Sequence, residues 1–372
     1  MDTAAPRKFS ASDGLAAVAG LVLAGVVIWT ASDSPDPDPS LATALSRLAG
    51  DPLDTDALRV VGLDRAWRGD IRGATRLLSF VESRTWRDGP AEVWLLGHRL
   101  DRHDYDGALK AADSLLRRDP DGEVRPVLFP ALTALAAYPE ARPALSARLA
   151  KSPWWRDRFL TFLATHGEAV GARRVFADLA GGPTPPSPDD YAPFINRLVA
   201  DQDHAGALAA WREIARPPGG ASDNLAFSDV SDHTPFTWSP AAGVGATSET
   251  TALGGATTLR TDYDGFSTPD LPSRLLVLAP GSYRLTWRDK VAGTSDRLTW
   301  RLRCADTGRV IGQAQTSPGE TPAGGAWVEK SLTAEVPADS CRAQWLELAA
   351  SPGERRAPGT LWSTGMTLRS GP

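Results

Sequence analysis

This sequence lacks the common short motifs of catalytic, metal-binding and nucleotide-binding sites. It contains no G-x-S-x-G, no H-E-x-x-H, no closely spaced cysteine pair and no P-loop. These absences argue against an activated serine, a zinc centre and nucleotide use. The charges are also nearly balanced, with Lys+Arg 40 against Asp+Glu 45 and a net charge of −5. A chain without a basic patch is not expected to bind nucleic acid. We therefore expect no enzyme, no cofactor and no nucleic-acid partner.

Long apolar runs are equally scarce, and the longest one lies near the N-terminus. Residues 14–31 read GLAAVAGLVLAGVVIWTA without a charge, and as a helix they would span about 27 Å, close to a hydrocarbon core of about 30 Å. Arg7 and Lys8 precede the run and three aspartates follow it. This asymmetry predicts a transmembrane signal anchor with residues 1–13 in the cytoplasm and the bulk of the chain in the periplasm of a bacterium. A cleaved signal peptide is the alternative.

After a Pro/Asp linker at 32–40, residues 41–217 have the periodicity of helices. Four similar stretches place a small residue, Ala74, Ala108, Ala172 or Ala207, where a second helix must approach closely. These residues are 34, 64 and 35 positions apart, so the longest interval accommodates two units. An upstream helix is predicted in each unit, at 56–68, 91–100, 125–137, 158–165 and 191–200.

With Gly62 and Pro120 at the small-residue and helix-stop positions, these spacings resemble the tetratricopeptide repeat (TPR) family over residues 54–217. The resemblance implies an α-solenoid whose groove docks a protein partner. Prolines at 126, 130, 139 and 143 depart from the pattern and predict bent or shortened helices in the third unit. A non-repetitive helical bundle is the alternative.

Residues 218–223 are the predicted linker, because the periodicity changes there from helical to alternating. From 224 to 369 about ten short strands separated by Gly and Pro predict an antiparallel two-sheet sandwich. APGSYRLTW, NLAFSDV with PFTW, and GTLWSTGMTL resemble parts of jelly-roll carbohydrate-binding modules and galactose-binding-like sandwiches. This resemblance implies saccharide binding and a structural calcium ion near the first strand. No calcium ligands can be assigned, and the closing strand is expected beside the first.

The two cysteines, Cys304 and Cys341, both fall in the predicted sandwich. In an oxidising compartment they are expected to form a disulfide, with two buried free thiols as the alternative. Cys304 shares its alternation with the apolar residues of its strand, whereas Cys341 is out of step with Leu346 and Leu348. A disulfide therefore requires Cys341 at a strand start or a bulge.

The candidate glycan-binding residues are five arginines and one tryptophan. If the strands 283–288 and 297–303 pair, one sheet face would carry two threonines together with Arg284, Arg288, Arg297, Arg301 and Arg303. Guanidinium groups suit carboxylates, so acidic sugars are plausible ligands. The alternative is a solvated face whose charges pair with nearby acids. Trp345 alternates out of step with Leu346 and is predicted to be exposed for sugar stacking. The core is expected to hold Trp238, Trp287, Trp300, Trp327 and Trp362.

Together these features predict a multidomain α-then-β protein. Its expected function is that of a non-enzymatic, membrane-anchored scaffold, and it resembles accessory proteins of exopolysaccharide assembly or export. In this prediction the repeats dock a protein and the sandwich contacts polysaccharide. Two alternatives stay open: an adaptor whose sandwich binds only protein, and a polysaccharide-modifying enzyme with two carboxylates in a cleft.

Overall fold

The computed structural model describes residues 40–85, 88–119, 121–216, 225–228, 230–231, 233–293, 297–315 and 326–371. The chain divides into two compact units, with the division between Pro186 and Ser187. The predicted linker at 218–223 lies outside the described residues, and so do Pro120, the predicted span at 14–31 and nearly all of the linker at 32–40. Among the helices that are described, none is long and apolar enough to cross a membrane.

The described part of the first unit is helical. Aspartate N-caps begin several of its helices: Asp54, Asp70, Asp88 and Asp104 each accept a hydrogen bond from the backbone N–H three residues further on. The helices are α1 (Leu41–Gly50), α2 (Thr55–Trp67), α3 (Ile71–Arg84), α4 (Gly89–Asp101), α5 (Tyr105–Arg117), α6 (Arg125–Ala137), α7 (Arg142–Leu149), α8 (Arg156–His166) and α9 (Ala169–Ala180).

Small residues let these helices pack closely, as the sequence predicts. In α9, a Cβ on Gly171 would lie 2.8 Å from the carbonyl oxygen of Ala136 in α6, so only glycine permits this approach. The proline-rich third unit contains the short α7, with eight residues, and α6 carries Pro130 in its interior. The predicted helical region is confirmed, whereas its assignment to tetratricopeptide repeats stays a prediction.

The second unit contains an antiparallel sandwich of two sheets. One sheet has the order β1-β2-β9-β4-β7 and the other β3-β8-β5-β6, which is the strand order of a jelly roll with β1 added at one edge. The predicted sandwich is confirmed. Its strands are β1 (Ala246–Leu253), β2 (Ala256–Tyr263), β3 (Ser273–Leu276), β4 (Gly281–Gly293), β5 (Leu298–Cys304), β6 (Val310–Gln315), β7 (Val328–Val336), β8 (Gln344–Ala350) and β9 (Gly359–Ser370).

One core joins the two sheets. It contains Trp287 and Leu361 from the five-stranded sheet, and Trp300 and Leu346 from the four-stranded sheet, each at most 2% exposed. The disulfide between Cys304 and Cys341 is confirmed, with the two Cα atoms 5.0 Å apart. Cys341 lies just before β8 begins, so it does not have to follow the inward–outward alternation of Leu346 within that strand.

Two helices also belong to the second unit, α10 (Pro188–Ala200) and α11 (His204–Ala215). The indole of Trp211 in α11 packs against Phe236, with ring centroids 5.6 Å apart. Near the disulfide, Arg342 donates hydrogen bonds to Gln202 at 2.9 Å and to Asp306 at 3.2 Å. The sandwich is therefore packed against the last helical pair.

The strands of the structure differ from the predicted ones in two places. β1 was not predicted, because ATSETTAL has only a few apolar residues and lies at a sheet edge, where little side-chain burial is required. The first of the ten predicted strands falls at 224–230, but the described residues of this stretch form only an isolated bridge, between Val230 and Trp238. β9 accordingly lies between β2 and β4, not beside that stretch.

Candidate functional site

The two arginine-bearing strands of the predicted face do not pair. β4 lies between β9 and β7, whereas β5 lies between β8 and β6 in the other sheet. Both strands bury apolar residues in one core from opposite sides, so their arginines lie on opposite outer surfaces. A single face with all five arginines is therefore wrong. Alternation identifies the buried side of a strand but not the sheet to which the strand belongs.

Arg301 and Arg303 are held by a carboxylate of the neighbouring strand. The Nε of Arg301 donates to Glu347 at 2.5 Å, and Arg303 donates to both Glu347 oxygens at 3.0 and 3.1 Å. Burial pushes the pKa of Glu347 upward, but the hydrogen bonds and charges of the two arginines outweigh it and hold the pKa below its ordinary value. This is the charge pairing expected of a solvated sheet face.

Arg297 precedes β5 and joins two loops. Its guanidinium donates hydrogen bonds to the backbone carbonyl oxygens of Gly265 and Arg355. Both bonds come from Nη1 and tie the two loops together, which indicates a structural contribution.

Trp345 lies on the outer side of the four-stranded sheet, in register with Arg303 and Leu275. Its side chain is only partly exposed. The prediction that it alternates out of the core is correct. Its proposed stacking with sugar stays a prediction.

Trp362, which the sequence predicts to be a core residue, also points away from the core. It lies in β9, the middle strand of the five-stranded sheet, between the buried residues Leu361 and Ser363. Trp362 is in register with Arg260 of β2 and Lys290 of β4, and the Lys290 amine is 5.9 Å from the indole centroid. The alternation test applied to Trp345 would have identified it, because Leu361 is the apolar residue of that strand segment. Trp327 is likewise only partly buried, whereas Trp238, Trp287 and Trp300 are in the core as predicted.

A row of cations runs along β4 beside Trp362. Arg284, Arg288 and Lys290 share the outer side, and within the described part of the chain none of them forms an ion pair. The Arg288 guanidinium lies 6.0 Å from the ring centroid of Trp327. Glycine at position 365, with a φ of +64°, accommodates the irregular register of β9 and β4 between Thr286 and Arg288.

Polar side chains continue the surface on the other side of Trp362. Arg260 forms ion pairs with Asp262 at 2.9 Å and Glu249 at 3.1 Å, and the Thr360 hydroxyl donates to Asp262 at 2.5 Å. Asp262 and Thr360 also line an open cavity of about 660 Å³ at the end of the sheet. We call Trp362, Lys290, Arg260, Asp262 and Thr360 the Trp362 face. It combines a partly open indole with hydrogen-bond donors, acceptors and unpaired positive charge.

Both acids that line this cavity, Asp262 and Asp264, are engaged in hydrogen bonds. Asp264, which also lines it, accepts hydrogen bonds from Ser267 and from the Phe266 backbone, and these lower the pKa of its carboxyl. Asp262 forms an ion pair with Arg260, which also pairs with Glu249. A general acid for glycoside cleavage needs a raised pKa, which is the opposite of the shift at Asp264.

For metal ions, the described residues contain no group of three or more His, Cys, Asp or Glu side chains that could hold one. The calcium ion implied by the resemblance stays a prediction.

The solved structures that resemble this chain include jelly-roll carbohydrate-binding modules. No protein family and no curated protein matches the sequence. Among solved structures, a CBM4 module is 11% identical, with a TM-score of 0.31 over 42% of this chain and 100% of its own. A CBM22 xylan-binding domain from Paenibacillus barcinonensis is 15% identical, with a TM-score of 0.27 over 39% and 90%. A Cellvibrio mixtus module in complex with cellotriose is 17% identical, with a TM-score of 0.25 over 37% and 98%. Likenesses this distant carry no argument about the site.

Proposed function

We propose that the sandwich binds an acidic glycan on the Trp362 face. The observation that carries the proposal is the combination of Trp362, partly open on the outer side of the middle strand, with the unpaired cations of β4. A flat indole matches the apolar C–H face of a pyranose, and the flanking Lys290 and Arg288 attract carboxylates. Arg260, Asp262 and Thr360 offer donors and acceptors for sugar hydroxyls.

The proposed glycan site lies on the sheet opposite to Arg301, Arg303 and Trp345, which the sequence favoured. Arg301 and Arg303 are engaged with Glu347, so a glycan carboxylate would have to compete with an existing charged hydrogen bond at 2.5 to 3.1 Å. Arg288 flanks the Trp362 face, and Arg284 lies on the same outer side further along β4, opposite Arg369. The lowered pKa of Asp264 and the pairing of Asp262 support binding without catalysis.

We further propose that the chain acts as a scaffold at the bacterial inner membrane, in the assembly or export of an envelope polysaccharide. What supports this is the sequence: the uncharged run at 14–31 as an anchor, with the basic residues before it. The helical unit would dock a protein partner while the sandwich contacts glycan.

The test is a titration of the full-length protein against acidic and neutral polysaccharides. Polygalacturonate and alginate serve as acidic probes and xylan as the neutral one. We expect binding to an acidic chain that weakens with salt and falls about tenfold in Trp362→Ala, the loss of about 1.4 kcal/mol expected for one stacked aromatic ring. Lys290→Gln should reduce the preference for acidic chains.

Matched controls separate this site from the other sheet. Trp345→Ala and Arg301→Ala change an equivalent tryptophan and arginine on the opposite surface and should leave affinity unchanged. Equal losses in Trp345→Ala and Trp362→Ala would refute the assignment of the face. Absence of binding to every polysaccharide, with the disulfide formed and the fold intact, would favour an adaptor whose sandwich binds protein.

A further inference from the structure

A second charged surface lies in the helical unit, between α3 and α4. It is an open groove of about 720 Å³, and three arginines line it: Arg72 and Arg76 from α3, and Arg102 just after α4. All three side chains are exposed. Within the described residues none of them has an ion-pair partner, and no acidic residue lines the groove.

This lack of pairing distinguishes the groove from its surroundings. The neighbouring arginines are neutralised: Arg99 pairs with Glu82 at 2.6 Å, and Arg68 with Asp64 at 2.8 Å. Arg72 and Arg76 are one helical turn apart, so their positive charges repel unless an anion lies between or beside them. Three uncompensated guanidinium groups on one concave surface make it an attractive site for carboxylates.

Neutral donors and a fixed imidazole complete the groove. The hydroxyl of Thr75 lies 3.3 Å from Nε2 of His98, and Ser79 lies one turn further along α3. The His98 ring stacks on Trp94, with centroids 4.9 Å apart. Burial, followed by the positive charge of Arg102, lowers the pKa of His98, which is consistent with a positive potential at the floor of the groove.

The shape and lining favour a peptide over a sugar or a free anion. The groove follows α3 from Ile71 to Ser79, a rise of about 12 Å, which is far longer than one phosphate. Arg72 and Arg76 are about 6 Å apart along the axis, close to the spacing of about 7 Å between alternate side chains of an extended peptide. Ile71, 42% exposed, offers an aliphatic contact, whereas no Trp, Tyr or Phe among the described residues lines the groove to stack on a pyranose.

We propose that the α3–α4 groove binds an extended acidic segment of a protein partner, with carboxylates on Arg72, Arg76 and Arg102 and an apolar side chain on Ile71. This deepens the scaffold part of the proposed function, on which it rests, by giving the chemical class of the partner of the helical unit. It does not depend on glycan binding by the sandwich.

The test uses an acetylated, amidated pentapeptide that alternates glutamate and leucine, labelled with a fluorophore, and the full-length protein. We expect binding that weakens with salt and that is absent for the same peptide with glutamine at every glutamate. The double variant Arg72→Ala/Arg76→Ala should lose about tenfold in affinity, and Arg102→Glu at least as much. These side chains are exposed, so the variants should remain folded.

Arg174→Ala is the matched control, since Arg174 is an exposed arginine of α9 without a described partner. An equal loss in Arg174→Ala, or no loss in the double variant, would overturn the proposal. Tighter binding of oligogalacturonate or inorganic phosphate than of the peptide, with the same arginine dependence, would also overturn it.

The histidine gives a second readout. A bound carboxylate would oppose the charge of Arg102, while Asp101 and Arg99 also act on His98, so the peptide should raise the His98 pKa measured by NMR. An unchanged His98 pKa at saturating peptide would place the peptide elsewhere. Repeating the peptide titration with the Trp362→Ala variant separates the two sites. This variant should bind the peptide normally even if it no longer binds glycan.

Discussion

Asp289 is a carboxyl group inside the sandwich core. It is 2% exposed, and its Oδ1 accepts a hydrogen bond from the Ser363 hydroxyl at 2.6 Å. Ser363 in turn accepts from the indole N–H of Trp300 at 3.2 Å. Burial raises the pKa of Asp289 to about 6, and the hydrogen bond from Ser363 offsets only part of that effect. This buried chain lies directly beneath the Trp362 face, because Ser363 and Asp289 neighbour Trp362 and Lys290 in sequence.

The raised pKa of Asp289 predicts that the sandwich is more stable in mild acid. The contribution is fully present below the unfolded pKa of 3.8 and is lost as the pH rises through about 6. Between pH 4 and pH 7 the loss should be about 2 kcal/mol from this group. Asp289→Asn, which keeps an acceptor for Ser363, should remove the loss. Native-state hydrogen exchange of the β4 amides, followed from pH 4 to pH 7, measures this loss of stability.

Glu329→Gln is the control for that experiment, because Glu329 is exposed on the neighbouring strand β7. Its pH profile should match that of the wild type. A pH profile of Asp289→Asn parallel to that of the wild type would contradict the account of Asp289 as a buried acid.

At the scale of elements, α11 is part of the structure that stabilises the sandwich. Trp211 is 3% exposed and Phe236 is 2% exposed, and their rings are 5.6 Å apart. We expect Trp211→Ala to destabilise the second unit by about 3–5 kcal/mol, the usual cost of removing a buried aromatic ring. The measurement is the free energy of opening of the β-strand amides by hydrogen exchange.

Trp67 supplies a matched control in the first unit, since its side chain is 91% exposed. Trp67→Ala should change stability by no more than about 0.5 kcal/mol. A similarly small effect of Trp211→Ala would mean that the helix contributes little to the sandwich.

The positions of the helices and of most strands along the chain were predictable from the sequence, but which strands lie next to one another in a sheet was not. The helix Arg125–Ala137 matches its predicted bounds, because apolar spacing and caps are local signals. Strand partners are set by contacts between residues far apart in sequence. β4 and β5 are adjacent in the chain and alternate in the same way, yet they lie in different sheets. Most of the error in the predicted arginine face came from this one assignment.

At the scale of the whole chain, the predicted order of a helical region and an antiparallel sandwich is confirmed. The division of the described chain between Pro186 and Ser187 puts α10 and α11 with the sandwich, which helical periodicity alone could not indicate. The disulfide was predictable from the two cysteines, once an oxidising compartment was assumed from the sequence. The Trp362 face required the sheet order, because only the order shows that Arg260, Trp362 and Lys290 lie side by side.

The most direct test of the account is oxidative footprinting of tryptophan in the full-length protein, with and without the acidic polysaccharide that binds best. Peptide mapping by mass spectrometry reports the oxidation rate of each indole. We predict that the polysaccharide slows oxidation of Trp362 several-fold and leaves the rates of Trp345 and Trp67 unchanged. Protection of Trp345 with Trp362 unchanged, or protection of neither at saturation, would contradict glycan binding on the Trp362 face.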